Sequence, residues 1–210
     1  MRAGFPDQPS GRDTGSARHL PGVVVPLRSF AFGKARLAGV LDDAARAALA
    51  RRMAGTVVAA AGACPLVIVS SAPDVAAWAA ERGLARVDDP GSLDLAAVAG
   101  RSWVRAQGLG RVVVAHADLP LATSLEAVAA GGDAPVATVV PYLHDDGTPV
   151  LALPVDAPFR FAYGPGSFAR HVAEAERCGL EVRVVRDPEL GFDVDEPDDL
   201  TALETRAARP

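Results

Sequence analysis

The feature that most constrains the fold is an alternation. Short runs of valine, leucine and isoleucine recur along the chain, and between them lie stretches with the length and caps of helices. GVVVP (22–26), PLVIVSS (65–71), LARVDD (84–89) and RVVVAHADLP (111–120) read as strands. So do PVATVVP (135–141), PVLALP (149–154), LEVRVVRD (180–187) and LGFDVDEP (190–197). Helices read over 42–61, which opens on an Asp pair, and over 72–83, with Pro73 in its first turn and Gly83 as its stop. Further helices read over 92–108, 123–132 and 166–179, and a last one runs on from Pro197. Strands alternating with helices of about 10–17 residues imply a mostly parallel sheet with helices on both faces. The expected fold is α/β and Rossmann-like, a single domain over 21–210. Two late strands near 149–161 are expected to form a small antiparallel excursion over the site. Residues 1–20, rich in Gly, Pro, Ser and charge with no apolar period, read as a disordered tail.

Half of the residues are apolar, yet no uninterrupted apolar run reaches the ~18 residues that a membrane span needs. No basic-then-apolar leader is evident, so a cytoplasmic protein with no membrane partner is expected. The net charge of −5 argues against a nucleic-acid partner, which calls for a basic stripe. It leaves room for an anionic small substrate, because a metal or a local cluster of Lys and Arg overrides the global sign. Two cysteines, Cys64 and Cys178, make neither a disulfide framework nor a zinc site. Trp78 and Trp103 fall within helices and read as packing residues.

In an open α/β sheet, ligands sit beyond the carboxyl ends of the strands. Strand one runs into a loop carrying Arg28, Lys34 and Arg36. Strand three ends in Asp88 and Asp89, strand four in Asp118, and the strand at 190 in Asp193 and Asp195. A basic loop and several carboxylates on one rim suit Mg²⁺, which prefers hard oxygen ligands and phosphate partners. Together they point to nucleotidyl transfer, with lysine neutralising charge on the leaving group. Neither the P-loop motif G-x-x-x-x-G-K-[ST] nor a G-x-G-x-x-G after the first strand is present, which argues against those two nucleotide-binding classes. Taken singly, the signals have bland readings: Asp-x-Asp as a helix cap, GPGS as a turn, Lys34 as a solvated side chain. His116 and His171 read as ordinary polar residues, since no second His or Cys stands at metal-ligand spacing.

The combination resembles the guanylyltransferases of deazaflavin coenzyme F-420 biosynthesis, which act on phosphoenolpyruvate or 2-phospho-L-lactate. The segments that carry the resemblance are VVVPLRSFAFGKARLA (23–38), ADLPLA (117–122), DDGT (145–148), FAYGPGSFARHVAEA (161–175) and LGFDVDEPDDL (190–200). ADLPL is shared with a wider group similar to the molybdenum-cofactor guanylyltransferases, so the resemblance implies a nucleotidyltransferase architecture of the GT-A or MobA type. It implies that Asp118, Asp193 and Asp195 bind Mg²⁺. It implies catalytic roles for Lys34, Arg28 and Asp118, and nucleotide contacts from Pro26, Lys34 and Asp94. It further implies that Thr148, Gly164, Gly166 and Ser167 hold the phospho-acid, with the backbone amides of 164–167 at a helix N-terminus.

The implied reaction is transfer of GMP from GTP to the phosphate of a small phosphorylated carboxylic acid, with release of pyrophosphate. A homodimer is a further expectation. Three positions differ from the usual pattern of that family. Arg28 stands where lysine is usual, Asp94 stands where asparagine is usual, and Pro149 replaces a polar residue. These differences favour two rivals: the same chemistry on another phospho-acid such as 3-phosphoglycerate or on another nucleotide, and a non-catalytic nucleotide-binding paralogue. The acidic triplet favours an enzyme.

Overall fold

The computed structural model describes residues 20–129, 134–143 and 146–207. The fully buried run Val23-Val24-Val25 forms the centre of β1 (Gly22–Pro26). Successive strand side chains point to opposite faces, so a strand buried on both faces must be apolar throughout. β2 (Leu66–Val69), β3 (Ala85–Val87), β4 (Arg111–Ala115), β5 (Val136–Val140), β6 (Val150–Pro154) and β7 (Glu181–Val184) complete one seven-stranded sheet. The strand order is β3-β2-β1-β4-β6-β5-β7, and β6 runs antiparallel to both of its neighbours. The remaining pairings are parallel.

Alternation along β1 sorts the core into two layers. Val23 and Val25 pack with Ala54 and Val57 of α1 (Asp43–Ala60) and Val75 and Trp78 of α2 (Pro73–Glu81). Val24 packs on the other face with Ala96, Ala97 and Val104 of α3 (Leu93–Ala106) and in one cluster with Ala175 of α4 (Ser167–Arg177). Gly100 lets α3 lie directly on β1, since a Cβ there would overlap the Val24 side chain. A third, smaller cluster joins Leu37, Leu49, Met53, Phe192 and Val194 to Leu200 and Leu203 of α5 (Pro197–Ala207).

The chain leaves β1 toward β2 and β3 on one side and returns to β4 on the other. The carboxyl ends of β1 and β4 therefore flank a topological switch point, where α/β sheets place their ligands.

Several expectations are corrected. Of the helix expected over 123–132, the described residues 123–129 form only a 3₁₀ turn at Ala127–Ala129, opened by Ala127 N–H bonding Ser124 Oγ. Leu125, Val128 and Ala129 are drawn into the core instead, so packing overrides the helical spacing. Residues 130–132 of that segment lie outside the described residues. The antiparallel excursion is one strand, β6, inserted within the sheet rather than laid over the site. The segment 190–197 has the alternation of a strand but no ladder partner among the described residues: Phe192 and Val194 turn into the third cluster. The N–H groups of Asp195 and Glu196 go to Asp199 Oδ2, which starts α5. Of the expected tail, residues 1–19 lie outside the described residues. Among the described residues, no helix is long and apolar enough to cross a membrane. Both cysteines are free thiols, Cys64 buried and Cys178 half-buried.

Candidate active site

The basic loop after β1 is built by two anchors. Phe30 is buried edge-on against Trp78, ring centroids 5.5 Å apart, and Asp74 Oδ2 accepts from both Ser29 Oγ (3.0 Å) and Phe30 N–H (2.8 Å). Beyond this anchor the backbone turns left-handed at Lys34, with φ 58° and ψ 42°. It is the one non-glycine residue with positive φ among the described residues. Such a conformation costs of order 1–3 kcal/mol and persists where surrounding structure enforces it.

That turn aims Lys34 inward. Its ammonium meets Asp118 Oδ2 at 2.7 Å and Asp195 Oδ1 at 2.8 Å, with only 8% of the side chain exposed. Burial alone would lower the Lys34 pKa, but Asp118 and Asp195 outweigh it and hold the ammonium above its ordinary value. Burial likewise pushes the Asp118 carboxyl up, and the Lys34 ammonium brings it below the ordinary range. Asp193 is raised to about 6, by burial first and then by repulsion from Asp118 and Asp195.

Asp118, Asp193 and Asp195 each offer a carboxylate oxygen within 4.8 Å of the others. Three carboxylates against one ammonium leave an excess of two negative charges. Asp118 Oδ1 is buried with no hydrogen-bond partner among the described residues. Hard oxygen donors, an excess charge of −2 and an orphaned carboxylate oxygen all fit a divalent cation such as Mg²⁺.

A cavity of about 560 Å³ opens over this cluster at the switch point. Pro26, Arg28 and Lys34 line it from β1 and its loop, Asp89 and Leu93 from the far side, and His116, Asp118 and Asp195 from the floor. Arg28 is exposed at this rim. Arg36 is paired with Glu196 at 3.5 Å and Asp88 with Arg86 at 2.6 Å, both on the surface. Leu93 lines the cavity rather than Asp94, whose Oδ1 accepts the N–H of Tyr163 at 2.7 Å.

The residues expected to hold the phospho-acid form a second group. Thr148 and Ser167 are buried, with Ser167 Oγ 3.4 Å from Thr148 Oγ1. His171 Nε2 accepts the N–H of Ala162 at 3.0 Å, so its proton sits on Nδ1, which donates to Thr148 Oγ1 at 3.0 Å. Thr148 Oγ1 thus accepts from both His171 and Ser167.

The anion cradle differs from the expected one. Gly166 N–H is taken by Asp146 Oδ1 (2.7 Å), Ser167 N–H by Gly164 O (3.0 Å), and Pro165 has no N–H. Within 164–167, only Gly164 N–H lacks a partner among the described residues. Arg170 shapes this loop by donating to the carbonyls of Ala162, Tyr163, Gly164 and Pro165. Sequence reasoning missed Arg170 and the Asp94–Tyr163 contact, since side-chain bonds to backbone carry no sequence signal. The site also contains His116, which bonds Tyr142 and approaches Tyr163.

Fold and site define a nucleotidyltransferase. A solved structure from Desulfovibrio desulfuricans G20, described as a nucleotide-diphospho-sugar transferase, superposes with a TM-score of 0.72 at 19% identity over 90% of this chain and 88% of that one. A family model described as "Guanylyl transferase CofC like" matches residues 22–206. A phosphoenolpyruvate guanylyltransferase from Rubrobacter xylanophilus is 36% identical over 188 residues, 86% of this chain and 92% of that protein. A 2-phospho-L-lactate guanylyltransferase from Methanoregula boonei is 31% identical over 194 residues, 90% of this chain and 84% of that protein. The chain belongs to the CofC-like guanylyltransferase family, and it is an enzyme of nucleotidyl transfer.

Proposed function

We propose that this chain transfers GMP from GTP to the phosphate of phosphoenolpyruvate and releases pyrophosphate, as a step in coenzyme F-420 biosynthesis. The observation that carries the reading is the Lys34 ammonium bridging Asp118 and Asp195 on the cavity floor, with Asp193 completing the cluster. The names of the two relatives support the donor and the acceptor class.

An oxygen of the acceptor phosphate attacks the α-phosphorus of GTP in line. A P–O–P bond forms, and the bond between the α-phosphorus and the α–β bridging oxygen breaks. Phosphate monoesters are largely ionised at neutral pH, so the attacking oxygen needs no strong base. The work left to the protein is positioning and charge neutralisation. Asp118, Asp193 and Asp195 would hold Mg²⁺, which when bound supplies positive charge to the phosphoryl oxygens. Lys34 turns from its carboxylates to the triphosphate, and Arg28 meets it at the rim. Thr148, Ser167 and Gly164 N–H offer donors to the acid.

The test is pyrophosphate release from GTP, ATP, CTP and UTP against phosphoenolpyruvate, 2-phospho-L-lactate and 3-phosphoglycerate. GTP with phosphoenolpyruvate is expected to give the highest kcat/KM, abolished by EDTA and restored by Mg²⁺. Equal use of ATP, or pyrophosphate release without any phospho-acid, would overturn the reading.

A further inference from the structure

His116 lies two residues before Asp118, on the stretch that continues β4, where its backbone N–H bonds Pro149 O at 2.8 Å. The residue lines the cavity. Nδ1 is 2.7 Å from the hydroxyl of Tyr142, while Nε2 is buried with no hydrogen-bond partner among the described residues. The tautomer follows from counting orphans. If Nδ1 donated to Tyr142, both the phenolic hydrogen and the Nε2 lone pair would be buried without partners. If Tyr142 donates to Nδ1, only the Nε2 hydrogen is left over. The structure therefore holds one buried N–H donor, without a partner among the described residues, on a residue that lines the active-site cavity, a costly arrangement unless a ligand completes it.

The support for that donor is built in. The Tyr142 ring lies against Gly147, where a Cβ would come within 2.6 Å of Tyr142 Cε2, so the ring keeps its place only because residue 147 has no side chain. Tyr163 flanks His116 on another side, ring centroids 5.5 Å apart, and packs edge-on against His171 at 4.7 Å. His171 in turn bonds Thr148. This row of rings links the Asp118 cluster to the residues that offer donors to the acid. His116 stands at its cluster end, where the phosphate of an acid seated at Thr148 and Ser167 would lie.

We propose that His116 Nε2–H binds a phosphoryl oxygen of the acceptor, with Tyr142 as the positioning residue that fixes its tautomer. The inference rests on the proposed acceptor class. It predicts a neutral donor that orients the attacking phosphate without opposing the metal charge.

The test compares His116→Leu, His116→Gln and Tyr142→Phe with the wild type. KM for each substrate is measured, together with calorimetric binding of phosphoenolpyruvate and of inorganic phosphate in Mg²⁺. His116→Leu is expected to weaken both acceptor probes by about tenfold, with GTP KM within about twofold. His116→Gln, whose amide N–H replaces Nε2–H, is expected to recover most of that loss, and Tyr142→Phe to fall between. Unchanged acceptor binding in a folded His116→Leu, or a loss shared equally with GTP, would overturn the inference. A wild type that binds phosphate through His116 yet releases no pyrophosphate would overturn the proposed reaction alone.

Discussion

At the scale of single residues, Lys34 carries two duties. It balances Asp118 and Asp195 in the free protein, and in the proposed reaction it neutralises charge on the triphosphate. Lys34→Gln is expected to lower kcat/KM by roughly 10²–10³-fold, the usual loss for one charge-stabilising donor. Without metal it should also destabilise the fold by about 1–2 kcal/mol. That is less than for a sealed ion pair, because the Asp118 and Asp195 side chains keep 29% and 47% exposure. Mg²⁺ should reduce that stability loss, and melting curves with and without the ion check it. Asp94, expected from sequence to contact the nucleotide, instead braces Tyr163 N–H with its carboxylate. Asp94→Ala is therefore expected to raise the acceptor KM by about three- to tenfold while leaving the ratio of GTP to ATP kcat/KM unchanged. A changed nucleotide ratio would return Asp94 to the nucleotide contact that the resemblance implies.

At the scale of elements, α4 and the loop before it are joined by a histidine that must stay neutral. His171 Nε2 accepts a backbone N–H, and burial first, then Arg170, lowers its pKa to about 4. In the unfolded chain the same imidazole titrates near 6.5. Between those values the unfolded state holds the extra proton, so this contribution to stability is full above about pH 6.5 and falls as pH drops toward 4. The loss reaches on the order of 3 kcal/mol at the bottom of the window. Asp193, raised to about 6, acts in the opposite sense. Chemical denaturation of the wild type and of His171→Gln at pH 7.5 and 5.0 isolates the histidine: the wild type is expected to lose more stability than the variant. The strands and most helices were legible because β1 and β2 are apolar throughout, β4 is apolar after Arg111, and Asp42, Pro73 and Ser92 mark helix starts. The 190–197 segment was misread because its period of two serves a different end. Phe192 and Val194 anchor it, and Asp193 and Asp195 are thereby turned to the cluster. His116 was illegible as a donor, since its tautomer depends on Tyr142, 26 residues further along the chain.

At the scale of the whole molecule, the site exists because the chain reverses its direction of travel between β1 and β4. One strand end supplies the loop with Arg28 and Lys34, the other supplies His116 and Asp118, and the segment before α5 brings Asp193 and Asp195 beside them. No two of these stretches are neighbours in sequence, so the cluster became visible only through the match of several motifs at once. The inserted antiparallel strand β6 leads back from Pro149 beside His116 and so ties the Thr148 group to the same floor. The account stands on the claim that this assembly joins GMP to a phospho-acid. Phosphorus NMR of GTP, phosphoenolpyruvate and Mg²⁺ with the enzyme tests it directly. The expected spectrum shows pyrophosphate growing in equal amount with a mutually coupled pair of phosphoanhydride doublets, and neither signal with Asp118→Asn. GDP and orthophosphate in place of that pair, or the same product from Asp118→Asn, would contradict it.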